Sequence, residues 1–294
     1  VSEAQAVPLR FMVGARTLAS VRRRLVRVPR TLAEARAGGS PALPPLPAEA
    51  QGYLVTSLPE GQCAALLGGG MLGFVRQRYT RFYVDLTLEF DAWFAGLSAN
   101  TRQGLTRKAR RLGGEVRCYR TPAEMAQFHP LARALSARTY QERLLGAGLP
   151  EDLADLQRLA AADAVRAWLL LLEGRPVAYL CCPAVGDTLV YAHVGHDPEL
   201  AALSPGAVLQ LAALRDLFAE GRFAWFDFTE GEGRHKRQMA SGGVACVDLM
   251  LLRPTLANRA LVAALAGFDS GVALAKRAVR RAGAERIARR LRRG

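Results

Sequence analysis

The chain has 294 residues, 50% of them hydrophobic and 22% charged, with a formal net charge of +14. That is enough chain for one large globular domain or two modest ones, and it excludes a disordered or fibrous protein. No apolar run reaches the roughly 18 residues of a membrane span, and five irregularly spaced cysteines argue against a disulfide framework and for a reducing compartment.

From the N-terminus, residues 7–28 alternate polar and apolar side chains and predict two short strands. Arg10, Arg16 and Arg22–Arg24 arrive too soon for a signal peptide's apolar core, which points to a cytoplasmic location. A proline-rich loop begins at Ser40, a strand is expected at Tyr53–Leu58, and a short helix at Gly61–Leu67 runs into a glycine triplet. Gly73–Leu88 reads as an aromatic-rich strand and Asp91–Leu97 as a helix. The next segment is a basic helix carrying Arg102, Arg107, Lys108, Arg110 and Arg111, with Leu105 and Leu112 on its apolar stripe. Strand Glu115–Arg120 opens a second unit. Thr121-Pro-Ala-Glu is a capping box for a helix to about Arg143, and another helix spans Pro150 to about Ala162.

Three antiparallel strands follow at Val165–Glu173, Pro176–Val185 and Thr188–Val194, joined by short glycine-bearing turns. Cys181 and Cys182, as neighbours on a strand, point to opposite faces and read as core residues. Ser204-Pro-Gly is a helix start, with a hydroxyl at the N-cap and proline at the first helical position. Its outward N–H groups and positive dipole end form a seat for a pyrophosphate. That helix runs to Glu220, and strand Phe223–Phe228 ends in a charged turn holding Asp227, Glu230, Glu232, His235 and Lys236. A short helix near Arg234–Ala240 and strand Val244–Leu252 complete a mixed α/β layer fold.

Residues 270–294 carry nine basic side chains against Glu285, at loosely helical spacing. A basic amphipathic helix there is suited to anionic lipid, an acidic protein or RNA. Only Lys108, Lys236 and Lys276 are lysines among 40 basic residues, and arginine does not replace a compact ammonium where a site needs one.

Four groups of residues taken together resemble the GNAT acyltransferase superfamily. They are Leu97-Ser98 through Lys108 to Leu112, Glu173-Gly-Arg-Pro-Val-Ala, Gly195-His-Asp-Pro with Ser204-Pro-Gly, and Asp227-Phe with Gly231-Glu-Gly-Arg-His-Lys. The resemblance is strongest to the branch around the cellulose-biosynthesis protein CelD, related to the Fem-type aminoacyl transferases, and covers roughly residues 75–255. It implies an α/β (α+β) fold with a GNAT-type mixed sheet flanked by helices, and two GNAT-like halves as in Fem-type proteins. The expected domains are an N-terminal GNAT-like or accessory half at 1–96, a GNAT domain at 97–255 and a basic helical tail at 256–294.

The resemblance further implies transfer of an acyl group, from acetyl-CoA or a longer acyl-CoA, to an amine by direct attack, without a metal. The strand Thr188–Val194 would splay from its neighbour and offer donors to the thioester carbonyl. Ser204, Gly206, Ala207 and Val208 would hold the cofactor, although the family's longer glycine-rich loop is reduced here to Ser-Pro-Gly. His235, Lys236, Asp227, Glu230 and His193 are the candidate catalytic groups, since amine attack needs a base and thiolate departure an acid. A histidine with pKa near neutral serves either role, and His235 stands where the family often has tyrosine. Lys236 would neutralise an anionic substrate group. Arg102, Arg107 and Lys108 would dock substrate or donor, including the acidic helix of an acyl carrier protein.

The acceptor class is a small-molecule or sugar amine. A Fem-type reaction from aminoacyl-tRNA, and a catalytically silent GNAT-fold binding module in polysaccharide assembly, are the alternatives. His129 and the His196-Asp197-Pro198 turn read as structural. A cytoplasmic protein with this tail would sit peripherally at the inner membrane face.

Overall fold

The computed structural model describes residues 3–14, 16–39, 41–138, 148–231 and 233–281. Expectations at Ser40, at Glu232, for the helix end near Arg143 and for the tail beyond Arg281 lie outside the described residues. The chain divides into two compact units, one of residues 1–30, 37–78 and 246–294, the other of residues 31–36 and 79–245. Two of the four boundaries, 78/79 and 245/246, fall inside the long strands Leu72–Asp85 and Gly242–Leu252, and the other two bracket residues 31–36. The borders expected at 96/97 and 255/256 lie at the end of one helix and the start of another.

In the first unit, β1 (Ala4–Val13) pairs antiparallel with β2 (Arg16–Pro29), and β2 runs parallel to β3 (Gly52–Pro59). On its other edge β3 meets β11 (Gly242–Leu252) antiparallel, with Leu252 opposite Gly52. A Cβ on Gly52 would lie 1.9 Å from the Leu251 carbonyl oxygen, so only glycine lets the strand enter there. Val7, Leu9, Leu25, Met250 and Leu252 pack with Leu261 and Leu265 of the long C-terminal helix, Leu256–Arg281. That helix begins well before residue 270, because its stripe of Leu261, Leu265 and Phe268 has a sheet face to cover. The short helices α1 (Leu32–Ala37, of the second unit) and α2 (Cys63–Leu67, of the first) lie between these strands in sequence. The helix at 32–37 went unread, although Thr31 and Glu34 form a reciprocal capping box.

The second unit holds the better-ordered α/β pattern. From β4 (Leu72–Asp85) the chain passes through α3 (Phe90–Gly96), α4 (Ala99–Leu112), β5 (Glu115–Tyr119), α5 (Pro122–Ser136) and α6 (Leu153–Ala161). Then come β6 (Val165–Leu172), β7 (Arg175–Val185), β8 (Thr188–Val190), β9 (His193–His196), a 3-10 turn at Pro198–Leu203, α7 (Pro205–Glu220), β10 (Trp225–Asp227) and α8 (Arg234–Met239). We label the C-terminal helix, Leu256–Arg281, α9. The capping box at Thr121 and Glu124 forms as expected.

β6 and β7 are buried on both faces, which is why Ala167 to Leu172 is uninterruptedly apolar. Ala167, Leu169, Tyr179 and Cys181 face α5 and α6, where Met125, Phe128 and Leu156 pack. Trp168, Leu170, Leu180 and Cys182 face the opposite layer, where Trp93, Leu105, Leu209 and Leu214 of α3, α4 and α7 pack. The two cysteines therefore enter different cores, as neighbours on a strand must.

Candidate active site

The strand expected at Thr188–Val194 is interrupted. β8 pairs antiparallel with β7 and parallel with β10, with Leu189 opposite Phe226 and Val190 opposite Asp227. The last link is the Tyr191 N–H, which donates to the Asp227 carbonyl at 2.9 Å. Beyond Ala192, β9 stays on β7, with His193 opposite Cys181, while the chain after Asp227 turns to donate the Phe228 N–H to the Phe82 carbonyl at 3.0 Å. Two strands that run side by side through residue 190 thus part company, and β9 keeps a strand partner on β7 alone. Its other edge turns backbone groups into the gap.

β9 leads directly into the start of α7. Asp197 is fully buried and accepts from the Glu199 N–H at 3.1 Å, from Arg138 at 3.2 and 3.3 Å, and from Arg175. Burial alone would raise its pKa; the Glu199 N–H and the two guanidinium charges outweigh it and hold the carboxyl below its usual value. The turn is therefore anchored from within, with His196 exposed at its edge.

Ser204 occupies the N-cap position in a left-handed conformation, φ 55° and ψ 51°, and its hydroxyl makes no capping bond. An N-cap side chain reaches the first turn from extended backbone, which Ser204 does not adopt. Its carbonyl instead takes the Ala207 N–H at 3.1 Å and the Val208 N–H at 3.4 Å. Pro205 has no N–H, and the Val208 amide is spent as the first regular helical bond. Gly206 is the open position of the turn: a Cβ there would meet only the His196 Nδ1, 3.7 Å away.

At the far side of the gap, the turn after β10 is built around two ion-bearing residues. Asp227 is buried and takes the Arg81 Nε at 3.1 and 3.2 Å and Nη2 at 2.5 Å, while its Oδ1 accepts the Thr229 N–H at 2.8 Å. Thr229 has φ 61°, and the Asp227 carboxylate supports that turn. Lys236 donates to the Glu230 carbonyl at 2.5 Å. Burial lowers the pKa of its ammonium, against the raising influence of Asp227 and Glu230. The Glu230 side chain is exposed.

His235 is exposed at the N-terminal turn of α8, its ring 6.2 Å from that of Tyr191. A Cβ on Gly233 would lie 2.8 Å from the His235 Cε1, so this glycine makes room for the ring. Partial desolvation and then the Lys236 charge lower the His235 pKa below 6.5, which leaves a neutral imidazole at neutral pH. Tyr191 packs edge-on against Phe226 and Phe228, and burial drives its phenol pKa far above 10.

The structure thus brings Asp227, Glu230, His235 and Lys236 into one turn, and Gly206 and Ala207 to the helix start that follows β9. His193 is tied elsewhere: its Nδ1 lies 3.1 Å from the Gly148 carbonyl, and burial lowers its pKa. His129 makes the structural contact expected of it, Nε2 to the Pro150 carbonyl at 2.9 Å.

Arg102 differs in place from Arg107 and Lys108. Its Nη1 donates to the Ala95 and Leu97 carbonyls at 2.6 and 2.5 Å, satisfying the C-terminal end of α3. Arg107 is exposed and Lys108 half-buried on α4, which packs against α7 through Leu105 and Leu112. Sequence reasoning passed over Arg81 and Tyr191 as site residues, and it read the turn at His196 as structural. Tyr191 lay inside a strand pattern whose break it marks, and nothing local links Arg81 to Asp227. Among the described residues, no group of three or more His, Cys, Asp or Glu side chains could hold a metal ion.

Residues 99–237 match the family model for an acetyltransferase (GNAT) domain. That stretch spans α4 through most of α8, including the strand parting and both of its flanks, and it marks the protein as a transferase. No curated protein matches the chain. Among solved structures, the C-terminal DUF2156 domain assigned to a lysylphosphatidylglycerol synthetase of Agrobacterium fabrum is similar at 13% identity and TM-score 0.53. It covers 75% of this chain and 73% of its own. FemX is similar at 9% identity and TM-score 0.52, over 85% of this chain and 89% of its own. At these identities the likeness is one of fold: a mixed α/β sheet flanked by helices, shared with a Fem-type protein.

Proposed function

We propose that this protein is an N-acyltransferase that moves an acyl group from an acyl-thioester to an amine, with the thioester lying between β9 and β10. The observation that carries this reading is the parting of β9 from β10 immediately before the α7 start. The gap leaves backbone donors of β9 for the thioester carbonyl. The Gly206 amide, with the dipole of α7, receives the pyrophosphate of acetyl-CoA or a longer acyl-CoA, while Ala207, its own amide bonded to the Ser204 carbonyl, lines the turn. Ser204 shapes that turn through its left-handed backbone, and Val208 fixes the first helical bond. Arg107 and Lys108 supply further positive charge to the donor's phosphates or to an acyl carrier protein.

In the proposed step the amine nitrogen attacks the thioester carbon while neutral His235 takes its proton. The tetrahedral oxyanion is held by β9 amides, and the C–S bond then breaks. Protonated His235 returns the proton to the sulfur. The Tyr191 hydroxyl, whose proton is held tightly, donates a hydrogen bond to developing negative charge without giving the proton up. Lys236 and Asp227 position the turn, and exposed Glu230 attracts the amine as its cation, which gives one proton to solvent before the neutral form attacks. His193 serves as a positioning residue through its contact with the Gly148 carbonyl. The acceptor is a small-molecule or sugar amine, and the site of action is cytoplasmic.

Calorimetric titration with acetyl-CoA and a long-chain acyl-CoA tests the reading, with Gly206→Asp as the control. Micromolar binding to the wild type and its loss with the added carboxylate are expected. Absence of binding by both ligands would overturn the acyl-CoA reading. Salt-dependent tRNA affinity would then favour the aminoacyl-tRNA donor suggested by likeness to FemX, and the lack of either would favour a binding module.

A further inference from the structure

The first unit carries a surface that the acyl-transfer reading leaves unused. β1 ends in Met12 and Val13, and β2 resumes at Arg16 and reaches Leu18 beside a register shift. Met12, Val13 and Leu18 are 40%, 46% and 56% exposed, at the end of a hairpin whose other large apolar side chains, from Val7 and Leu9 to Phe11, are buried or half-buried. Phe11 is the last of these, its ring set edge-on against Phe268 of α9 at 5.3 Å.

α9 runs alongside β1 in the same sense. Its Asn258 takes the Arg23 Nε at 3.1 Å, and Arg23 pairs with Val7; ten residues later Phe268 meets Phe11. Ten helical residues advance about 15 Å, and four strand residues about 13 Å, so the two elements keep pace. The residues past Phe11 and those past Phe268 therefore emerge at one end. There Leu274 is 69% exposed, next to exposed Lys276 and Arg277, while Arg10 and Arg16 are exposed on the hairpin. Five more arginines follow Arg281 in the sequence.

We propose that this end of the first unit docks on an anionic lipid bilayer, with Met12, Val13, Leu18 and Leu274 entering the headgroup boundary and Arg10, Arg16, Lys276 and Arg277 contacting acidic headgroups. Two features favour a bilayer over RNA. Phosphate binding alone gives no reason to expose four aliphatic side chains. A single-stranded base needs an aromatic platform, and the aromatic ring of the tip is turned inward onto Phe268. Aliphatic insertion flanked by basic residues is the chemistry of an interfacial anchor.

The test is co-sedimentation of the full chain with phosphatidylcholine vesicles and with equimolar phosphatidylcholine–phosphatidylglycerol vesicles. The expected result is binding to the anionic vesicles, none to the neutral ones, and partial release by salt. Val13→Asp/Leu18→Asp and Lys276→Glu/Arg277→Glu alter exposed side chains only, and each is expected to weaken binding by at least about tenfold, with unchanged circular dichroism. Failure of the wild type to sediment with anionic vesicles overturns the proposal. So does Val13→Asp/Leu18→Asp binding as the wild type does, and that result together with tight, salt-sensitive RNA binding would identify a nucleic-acid surface instead. Acyl-CoA titration of the same variants is expected to match the wild type, which separates this surface from the acyl-transfer site.

Discussion

Replacing Asp227 by asparagine separates two roles that its position at a strand end makes equally natural, base and strut. The carboxylate and its partner Arg81 have side-chain exposures of only 1% and 9%. Asparagine keeps an oxygen for the Thr229 N–H, so the change removes the charge and spares the turn's hydrogen bond. Breaking a buried pair by neutralising one member costs about 3–5 kcal/mol, a large share of a stability of about 5–15 kcal/mol. With a urea dependence of at most about 3 kcal/mol per molar, a loss of 3 kcal/mol moves the unfolding midpoint down by at least about 1 M. Urea titration followed by tryptophan fluorescence reads this, since Trp225 is two residues away on β10. At low denaturant the folded variant should keep the pH profile of turnover. The strut argument is refuted by an unshifted midpoint combined with a fall in kcat of about 10²–10⁴ and loss of the acidic limb, the signature of a missing base.

Acid should destabilise the protein through its histidines. His193 and His235 both have folded pKa values depressed below 6.5. Between the folded value and 6.5 the unfolded chain binds more protons, so stability falls as pH drops through that window and levels off below it. His193→Gln and His235→Gln, each removing one of these groups, should each flatten a thermal-melting series across the window. Cys181 is fully buried with its thiol pushed up to about 12 by desolvation, and Cys182 is raised well above 9. Alkylation with iodoacetamide at mildly alkaline pH should therefore spare both until denaturant is added, while partly exposed Cys63 and Cys118 label first. Arg102→Ala should cost about 1 kcal/mol through the lost carbonyl caps of α3 and leave acyl-CoA affinity unchanged, whereas Arg107→Ala should weaken it; paired melts and calorimetry distinguish the two.

Helices and strands of the second unit were legible because their signals are local. The Thr121–Glu124 capping box, the two-faced apolar run of β6 and the alternation that separates Cys181 from Cys182 each need only a few neighbouring residues. Likewise Ser204-Pro-Gly announces a helix whatever lies around it, since proline's fixed φ suits the first turn. The positions of the candidate-site groups were not legible in that way. Arg102 looks like a docking residue in a basic helix, and only the return of α3 onto α4 gives its guanidinium two carbonyls to bind. Arg81 and Asp227 are 146 residues apart, and no periodicity ties a strand in the middle of the chain to a turn after β10. The break at Tyr191–Ala192 is set by two partners that disagree, β7 continuing alongside and β10 ending. Local propensity fixes which residues form a strand, but pairing across the sheet decides where that strand must leave its neighbour, and it is there that the candidate site opens.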